Sequence, residues 1–366
     1  MHDYIVVGAG LFGCVFARQM ADAGKSVLVI DRRRHLGGNC YTEDADGIMV
    51  HSYGPHIFHT NDERVWGYLN TFTTFNNFIN RPIAVRGGDV YSLPFNMYTF
   101  NKLFGVTVPE DAIRILEEQT KPWRDIEPKN LEEQALKLVG PVVYDVLIKE
   151  YTEKQWGRDC RDLPPEIIKR LPLRFTYDNN YFNAKYQGVP DYVALFSNLL
   201  DGIGFDLGVD YLDEKYYIDK HAKKVLYTGA IDEYYGYKLG ELEYRSVRFV
   251  HEPLYGTDNY QGNAVVNYVS RNADFTRIIE HKHFTGVDTK FTVITKEYPW
   301  TWRRGDEPFY PINDTRNNKR YQRYAELAAM DPFVIFGGRL GSYKYMDMDV
   351  TVAAALELAE KELRSK

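Results

Sequence analysis

Tyr4-Ile5-Val6-Val7-Gly8-Ala9-Gly10-Leu11-Phe12-Gly13 joins an apolar run of strand length to a G-x-G-x-x-G turn. Each glycine meets its own physical need, since Gly8 permits the tight turn, Gly10 lets the backbone close on a pyrophosphate, and Gly13 lets the next helix lie near the strand. The N-terminus of that helix then faces the anion with its free N–H groups. The glycine pattern alone also describes an ordinary turn. Here, however, a helical stretch runs from Cys14 to Ala23, the chain turns at Gly24, and a second strand, Val27-Leu28-Val29-Ile30, ends on Asp31. An acid at that point accepts ribose hydroxyls. Strand, glycines, helix, strand and acid in this order predict a dinucleotide unit with Gly8, Gly10, Phe12, Gly13 and Asp31 at the ligand.

Directly after Asp31 comes Arg32-Arg33-Arg34-His35-Leu36-Gly37-Gly38-Asn39, a basic run closing on a glycine pair. This is similar to the second glycine motif of the FAD-binding oxidase superfamily rather than to a nicotinamide dehydrogenase. Arg32, Gly38 and Asn39 therefore join the expected cofactor contacts, and one dinucleotide site, filled by FAD, is the expectation.

Composition limits the remaining choices. A chain of 366 residues exceeds the size of one growing core, so two or three packed units are expected. Lysine and arginine total 45 against 51 acids, a net charge of −6 with no long basic block, which argues against nucleic acid as a partner. Cys14, Cys40 and Cys160 form an odd, widely spaced set without a C-x-x-C pair, so neither a disulfide framework nor a zinc site is indicated and a cytoplasmic location is expected. The N-terminus lacks a basic leader and carries Arg18 and Asp22 where a signal peptide would stay apolar. No apolar run reaches the roughly 18 residues of a membrane span.

Along the chain, His51-Ser52-Tyr53-Gly54-Pro55-His56-Ile57-Phe58-His59 reads as a loop, with no carboxylate at helical spacing from its histidines and no metal expected. Asn61-Asp62-Glu63 starts a helix with Val65, Leu69 and Phe72 on one face, and residues 78–93 form a hairpin turning at Gly87-Gly88-Asp89. Residues 97–170 are helical, with Pro109-Glu110-Asp111 opening one helix and Asn130 to Glu133 reading as a capping box. Alternating strand patterns are expected from 172, interrupted by a helix at 191–200 and dominant from 204 to 296. Phe333-Val334-Ile335-Phe336 is a further buried strand, followed by a glycine turn through Gly337-Gly338-Arg339 and a helix over 348–364. These last elements return to the first unit, which is therefore discontinuous.

Tyr151-Thr152-Glu153-Lys154-Gln155-Trp156-Gly157 places two aromatics five apart, poor core spacing but suited to stacking planar rings or sugars. Core packing also accounts for it. Taken singly, Arg170, Arg174 and Arg277 read first as solvated surface charge, and Tyr181 equally as a turn residue.

Taken together, Gly8/Gly10/Gly13, Gly54 to His59, Tyr151 to Trp156, the Arg170 to Phe182 segment, Ile279 to Phe284 and Gly338 to Asp349 resemble bacterial UDP-galactopyranose mutases across nearly the whole chain. The resemblance implies an isomerase interconverting UDP-galactopyranose and UDP-galactofuranose for cell-surface glycan synthesis, on reduced FAD without net oxidation. Flavin N5 would attack the anomeric carbon and UDP would leave, giving a covalent flavin-sugar adduct that recloses through another hydroxyl. It implies an α/β fold: a Rossmann-like FAD-binding domain (1–75, 190–245 and 330–366), an inserted helical domain carrying a mobile substrate loop (97–170), and an antiparallel sheet domain (76–96, 171–189 and 246–329). Arg170 and Arg277 would grip the pyrophosphate with Tyr181, Tyr310 and Tyr345, Tyr151 would stack on uracil with Asn267 at its edge, and Trp156 and Asn80 would lie near the substrate. Arg339, His56, Tyr345, Asp347 and Met348 would approach the flavin. Leu147 departs from relatives that carry an aromatic there to complete the uracil sandwich. A homodimer is expected, and with no second dinucleotide motif the electron donor stays unidentified. The rival readings are a flavin amine oxidase or desaturase, which would favour an apolar pocket, and a non-enzymatic flavin-bound assembly or sensor protein.

Overall fold

The computed structural model describes residues 1–168 and 171–365. Its first layer is a five-stranded parallel sheet in the order Val334–Phe336, Ala222–Tyr227, His2–Val7, Val27–Asp31, Gly204–Leu207. Each strand is short and apolar because both faces are covered. One face packs on the helices Leu11–Asp22, Tyr192–Leu199 and Met348–Arg364 through Val15, Phe16, Leu195 and Leu356. The other buries Ile5, Val225 and Val334 against Tyr211, which opens the helix Tyr211–Asp219. Three sequence-distant segments thus complete one sheet.

The second layer is a seven-stranded sheet in the order Tyr310–Pro311, Tyr244–Tyr255, Phe291–Thr301, Arg277–Glu280, Val265–Tyr268, Ile83–Arg86, Asp89–Ser92. It is antiparallel except where Val265–Tyr268 runs parallel to Ile83–Arg86, with Val266 opposite Ile83. The expected hairpin is present and turns at Gly87-Gly88, both at positive φ. A helical unit lies beside this sheet, built from Met97–Phe104, Pro109–Thr120, Leu131–Val143 and Lys149–Trp156 around Phe100, Leu116, Leu131, Ala135 and Val139. Gly140, at φ 72°, and Pro141 kink the third of these helices, and a π-helical turn over Tyr144–Ile148 leads into the fourth. Among the described residues no helix is long and apolar enough to cross a membrane.

Several expectations are corrected. Residues 204–227 are not part of an alternating strand region: two strands join the parallel sheet and a helix separates them, started by Asp210, whose carboxylate accepts the Leu212 N–H. Its sequence, YLDEKYYID, is tyrosine-rich and favours strand by composition, but the cap and the tertiary seat of Tyr211 decide otherwise. The 172–185 segment is irregular rather than stranded, because Asp178 and Asn180 satisfy the Asn180 and Phe182 amides from their side chains. Asn130 caps Glu133 N–H, but the Glu133 carboxylate returns to Lys129 N–H, one residue earlier than a capping box requires. Gly338–Gly341 forms a single helical turn instead of an open glycine turn.

Candidate active site

The first cleft opens at the C-terminal ends of the parallel strands. Gly8, at φ 114°, lies so near Thr228 that a β-carbon there would sit 1.9 Å from its hydroxyl oxygen, and one on Gly13 would sit 2.0 Å from the Gly8 carbonyl oxygen. Gly10 is different: its nearest neighbour is Gly38 Cα at 3.8 Å, so its face is left clear by the protein itself. A bridge between Gly10 and Gly37 brings the second glycine motif onto the first. Asp31 organises the turn, accepting the Ala9 N–H at 2.7 Å and the Arg33 N–H at 2.8 Å, one on each carboxylate oxygen. Burial normally penalises such a carboxylate, and these donors offset that cost.

Arg32 and Arg33 both reach Glu307, at 3.0 and 2.9 Å, and Arg33 also donates to Asn39 Oδ1. Glu307 and Thr228, which line the same cleft, carried no sequence signal, since each comes from a segment far from the glycine motif. Phe12 is buried beneath Gly337, and Met348 faces Cys40 and Tyr192. At the far end His56 donates Nδ1–H to the Gly54 carbonyl at 2.8 Å, which leaves Nε2 unprotonated; burial pushes its pKa down to about 4. Asp347 precedes the final helix and makes no side-chain cap there.

The second cleft lies between the seven-stranded sheet and the helical unit. Arg277 and Asn267 are cross-strand partners, and Arg277 Nε donates to Asn267 Oδ1 at 3.0 Å. With Oδ1 accepting there, the Asn267 amide N–H2 donates to no protein atom among the described residues. Arg277 Nη2 lies 3.4 Å from the Tyr151 hydroxyl, and Nη1 lies 3.4 Å from Glu297, its partner in the next strand. Glu297 is buried and holds the guanidinium charged. It was not anticipated, because in the Phe291–Thr301 strand it follows Lys296 as one more charged residue, and only the register that sets it opposite Arg277 gives it a role.

Tyr310 and Tyr345 face each other at 6.0 Å, and Arg339 stacks on both, at 5.9 and 4.7 Å. Arg339 also donates to the carbonyls of Phe309 and Met346, and it lines the dinucleotide cleft, so this residue joins the two clefts. Tyr181 is partly exposed, its backbone N–H held by the Asn80 carbonyl at 2.8 Å. Asn80 Oδ1 is buried with no partner among the described residues, an acceptor awaiting a donor. Trp156 ends the helix that carries Tyr151 and, about 140° around it at 100° per residue, faces a different cavity beside Arg245. Leu147 is buried in the helical core. Arg174 pairs with Asp178 at 2.8 Å and with the Asn180 carbonyl, a loop-forming role. Arg170 lies outside the described residues.

The sequence pattern of UDP-galactopyranose mutases matches residues 146–345, which span Tyr151, Asn267, Arg277, Tyr310 and Tyr345. A protein of Klebsiella pneumoniae described as a probable UDP-galactopyranose mutase is 42% identical over 99% of this chain and 95% of its own length. The chain belongs to the UDP-galactopyranose mutase family. It is an enzyme of the isomerase class. The dTDP-fucopyranose mutase of Escherichia coli belongs with these relatives, 38% identical over 100% of this chain and 99% of its own. A solved reduced UDP-galactopyranose mutase superposes with a TM-score of 0.74, covering 100% of this chain and 97% of its own at 12% identity, which shows the shared fold. Residues 6–72 match an NAD(P)-binding Rossmann-like domain, the segment that carries the Gly8–Gly13 turn and Asp31.

Proposed function

We propose that the protein interconverts UDP-galactopyranose and UDP-galactofuranose on reduced FAD, supplying the furanose for cell-surface glycans. The observation that carries this reading is Arg277, a cation fixed by Asn267, Glu297 and Tyr151 in one cleft and linked through Arg339 to a dinucleotide cleft.

The first cleft fits FAD: Gly10 and Gly38 leave room for a pyrophosphate, Arg32, Arg33 and Asn39 border the ribose end, and the bare Nε2 of His56 borders the ring end. When bound, reduced FAD supplies N5 as nucleophile for the anomeric carbon. The chain's own residues then have separable roles. Arg277 holds the pyrophosphate as the sugar–oxygen bond breaks, with hydroxyls of Tyr181, Tyr310 and Tyr345 as further donors, and Arg170 is proposed as the second cation. Such charge-assisted bonds contribute about 1.5–3 kcal/mol each, enough to offset a chain of net charge −6. Tyr151 stacks on the base, Asn267 donates to a pyrimidine carbonyl, and Asn80 Oδ1 accepts a substrate hydroxyl. Keeping UDP bound while the ring reopens prevents its loss to water. A homodimer is the proposed assembly.

The E. coli relative supports a second reading, dTDP-fucopyranose, since an amide donor at Asn267 meets a carbonyl of thymine as readily as one of uracil. Chromatography after incubating dithionite-reduced protein separately with UDP-galactofuranose and with dTDP-fucopyranose decides. UDP-galactopyranose is the expected product of the first, with less than about a tenth of that rate in the second, a gap of about 1.4 kcal/mol. No product from UDP-galactofuranose overturns the proposal.

A further inference from the structure

At the C-terminal end of the Lys149–Trp156 helix, bordered by Trp156 and Gly157, lies a cavity of about 810 Å³, within the roughly 300–1,000 Å³ range of small-molecule sites. Its lining includes five arginines, Arg158, Arg245, Arg303, Arg304 and Arg320, against two carboxylates, Glu241 and Glu243. Those acids are already engaged: Glu243 by Arg158 and Arg316, Glu241 by Arg304. The excess is positive in a chain whose net charge is −6.

Arg245 is the centre of this excess. Only 5% of its surface is exposed. Nε donates to the Gln155 carbonyl at 2.9 Å and Nη1 to Thr301 Oγ1 at 2.9 Å, both neutral acceptors. Among the described residues no carboxylate lies within ion-pairing distance of it, and Nη2 donates to no protein atom. Burial and the neighbouring Arg158 charge push its pKa down to about 10. A buried cation without a counter-charge costs several kcal/mol, which proteins ordinarily avoid by pairing. The backbone also accommodates it: Gly157 sits at φ 64°, and a β-carbon there would come within 2.8 Å of Nη1.

We propose that this cavity is a second anion site, separate from the Arg277 cluster, which takes the phosphate group of a small metabolite on Nη2 of Arg245, with Arg303 and Arg320 at its rim. The missing counter-charge then comes from the ligand. Arg158 is neutralised by Glu243 and Asp314 and shapes the wall, Arg304 stacks on Tyr237, and Trp302 in the lining offers apolar surface to the body of a phosphate ester. Arg245 also holds the carbonyl preceding Trp156, so an occupant bears on the end of the helix that carries Tyr151.

The test is calorimetric titration of FAD-loaded protein, saturated with UDP to close the Arg277 site, with inorganic phosphate and, separately, glucose 1-phosphate. Saturable binding of either is expected; tighter binding of the ester assigns an esterified ligand, and equal binding assigns the free ion. Arg245→Gln should weaken binding at least about tenfold, the loss of a charge-assisted contact. Arg303→Gln, an exposed position that leaves the fold intact, should weaken it about threefold while UDP affinity stays unchanged. Absence of binding of both probes, displacement of phosphate by UDP, or wild-type phosphate affinity in Arg303→Gln together with Arg245→Gln would each overturn the site.

Discussion

Arg277 has an environment completed by the protein before any substrate arrives: a buried acid beside it, an amide oxygen on Nε and a phenol near Nη2. Its geometry depends on the guanidinium fork, which lysine lacks. Arg277→Ala should lower kcat/KM by tens-fold, as the loss of a few kcal/mol at about 1.4 per decade implies. Arg277→Lys should recover only part of this, with FAD content unchanged in both by absorbance; wild-type turnover in either variant refutes the pyrophosphate role. A second residue-scale effect concerns His281, which is buried, accepts the His51 N–H on Nδ1 and donates from Nε2 to Thr295. Burial and the nearby His251 push its pKa down to about 3, with Glu280 opposing. The unfolded chain therefore binds a proton below about pH 6.5 that the folded chain refuses, so stability is full above that value and falls as the pH drops toward 3. At pH 5 one such group costs about 2 kcal/mol. Thermal melts from pH 7 to 5 should show a falling Tm, and His281→Gln should flatten the slope whatever its own Tm; an unchanged slope assigns the acid sensitivity elsewhere.

At the scale of elements, the Lys149–Trp156 helix is fastened to the sheet by polar contacts more than by apolar area. Lys154 Nζ donates to the carbonyls of Tyr268, Ser270, Ala273 and Phe275 at 2.7 to 3.0 Å. Tyr268 ends the strand of Asn267, and the other three lie in its connection to the strand of Arg277. Glu150 adds Arg86 at 2.7 Å and the Arg271 N–H, and Glu153 holds the Arg271 side chain. Lys154, with Glu150 and Glu153 beside it, thus sets Tyr151 against Arg277. Lys154→Met should raise the Kd for UDP about tenfold while changing kcat less, because it removes a positioning contact of about 1.5–3 kcal/mol and no reacting group. An unchanged Kd, measured by titration, sinks this account. None of it was legible in the sequence. Tyr151 and Trp156 stood out by their spacing, but Lys154 acquires meaning only from carbonyls 114 to 121 residues away, Glu297 from strand register and Arg245 from a carbonyl 90 residues away. The glycine turn was legible because local sterics fix it. The Tyr211–Asp219 helix was missed because a cap and one buried tyrosine override strand-forming composition.

At the scale of the whole molecule, two clefts are built by different layers and meet at Arg339, so they can be separated experimentally. Arg277, Asn267 and Tyr151 are placed by the seven-stranded sheet and the helical unit, with no contact to the Gly8–Gly13 turn among their hydrogen bonds. Two glycines in that turn are constrained for opposite reasons. A β-carbon on Gly13 would collide with the Gly8 carbonyl oxygen at 2.0 Å, so Gly13→Ala must move backbone and should lower Tm by several degrees, an overpacking cost of about 1–3 kcal/mol. A β-carbon on Gly10 meets only Gly38 Cα at 3.8 Å, and Gly10 has φ −81°, so alanine fits the fold without strain. Its methyl group would occupy the space left for the dinucleotide pyrophosphate. Gly10→Ala should therefore retain wild-type circular dichroism and a cooperative melt, yet purify without the visible flavin absorbance band and without mutase activity. UDP affinity should stay within about threefold of wild type, a difference under about 1 kcal/mol. If Gly10→Ala keeps its flavin, the pyrophosphate does not pass over this turn. If it loses UDP binding along with the flavin, the two clefts are one cooperative unit, and Arg339 transmits the cofactor's presence instead of merely bordering both sites.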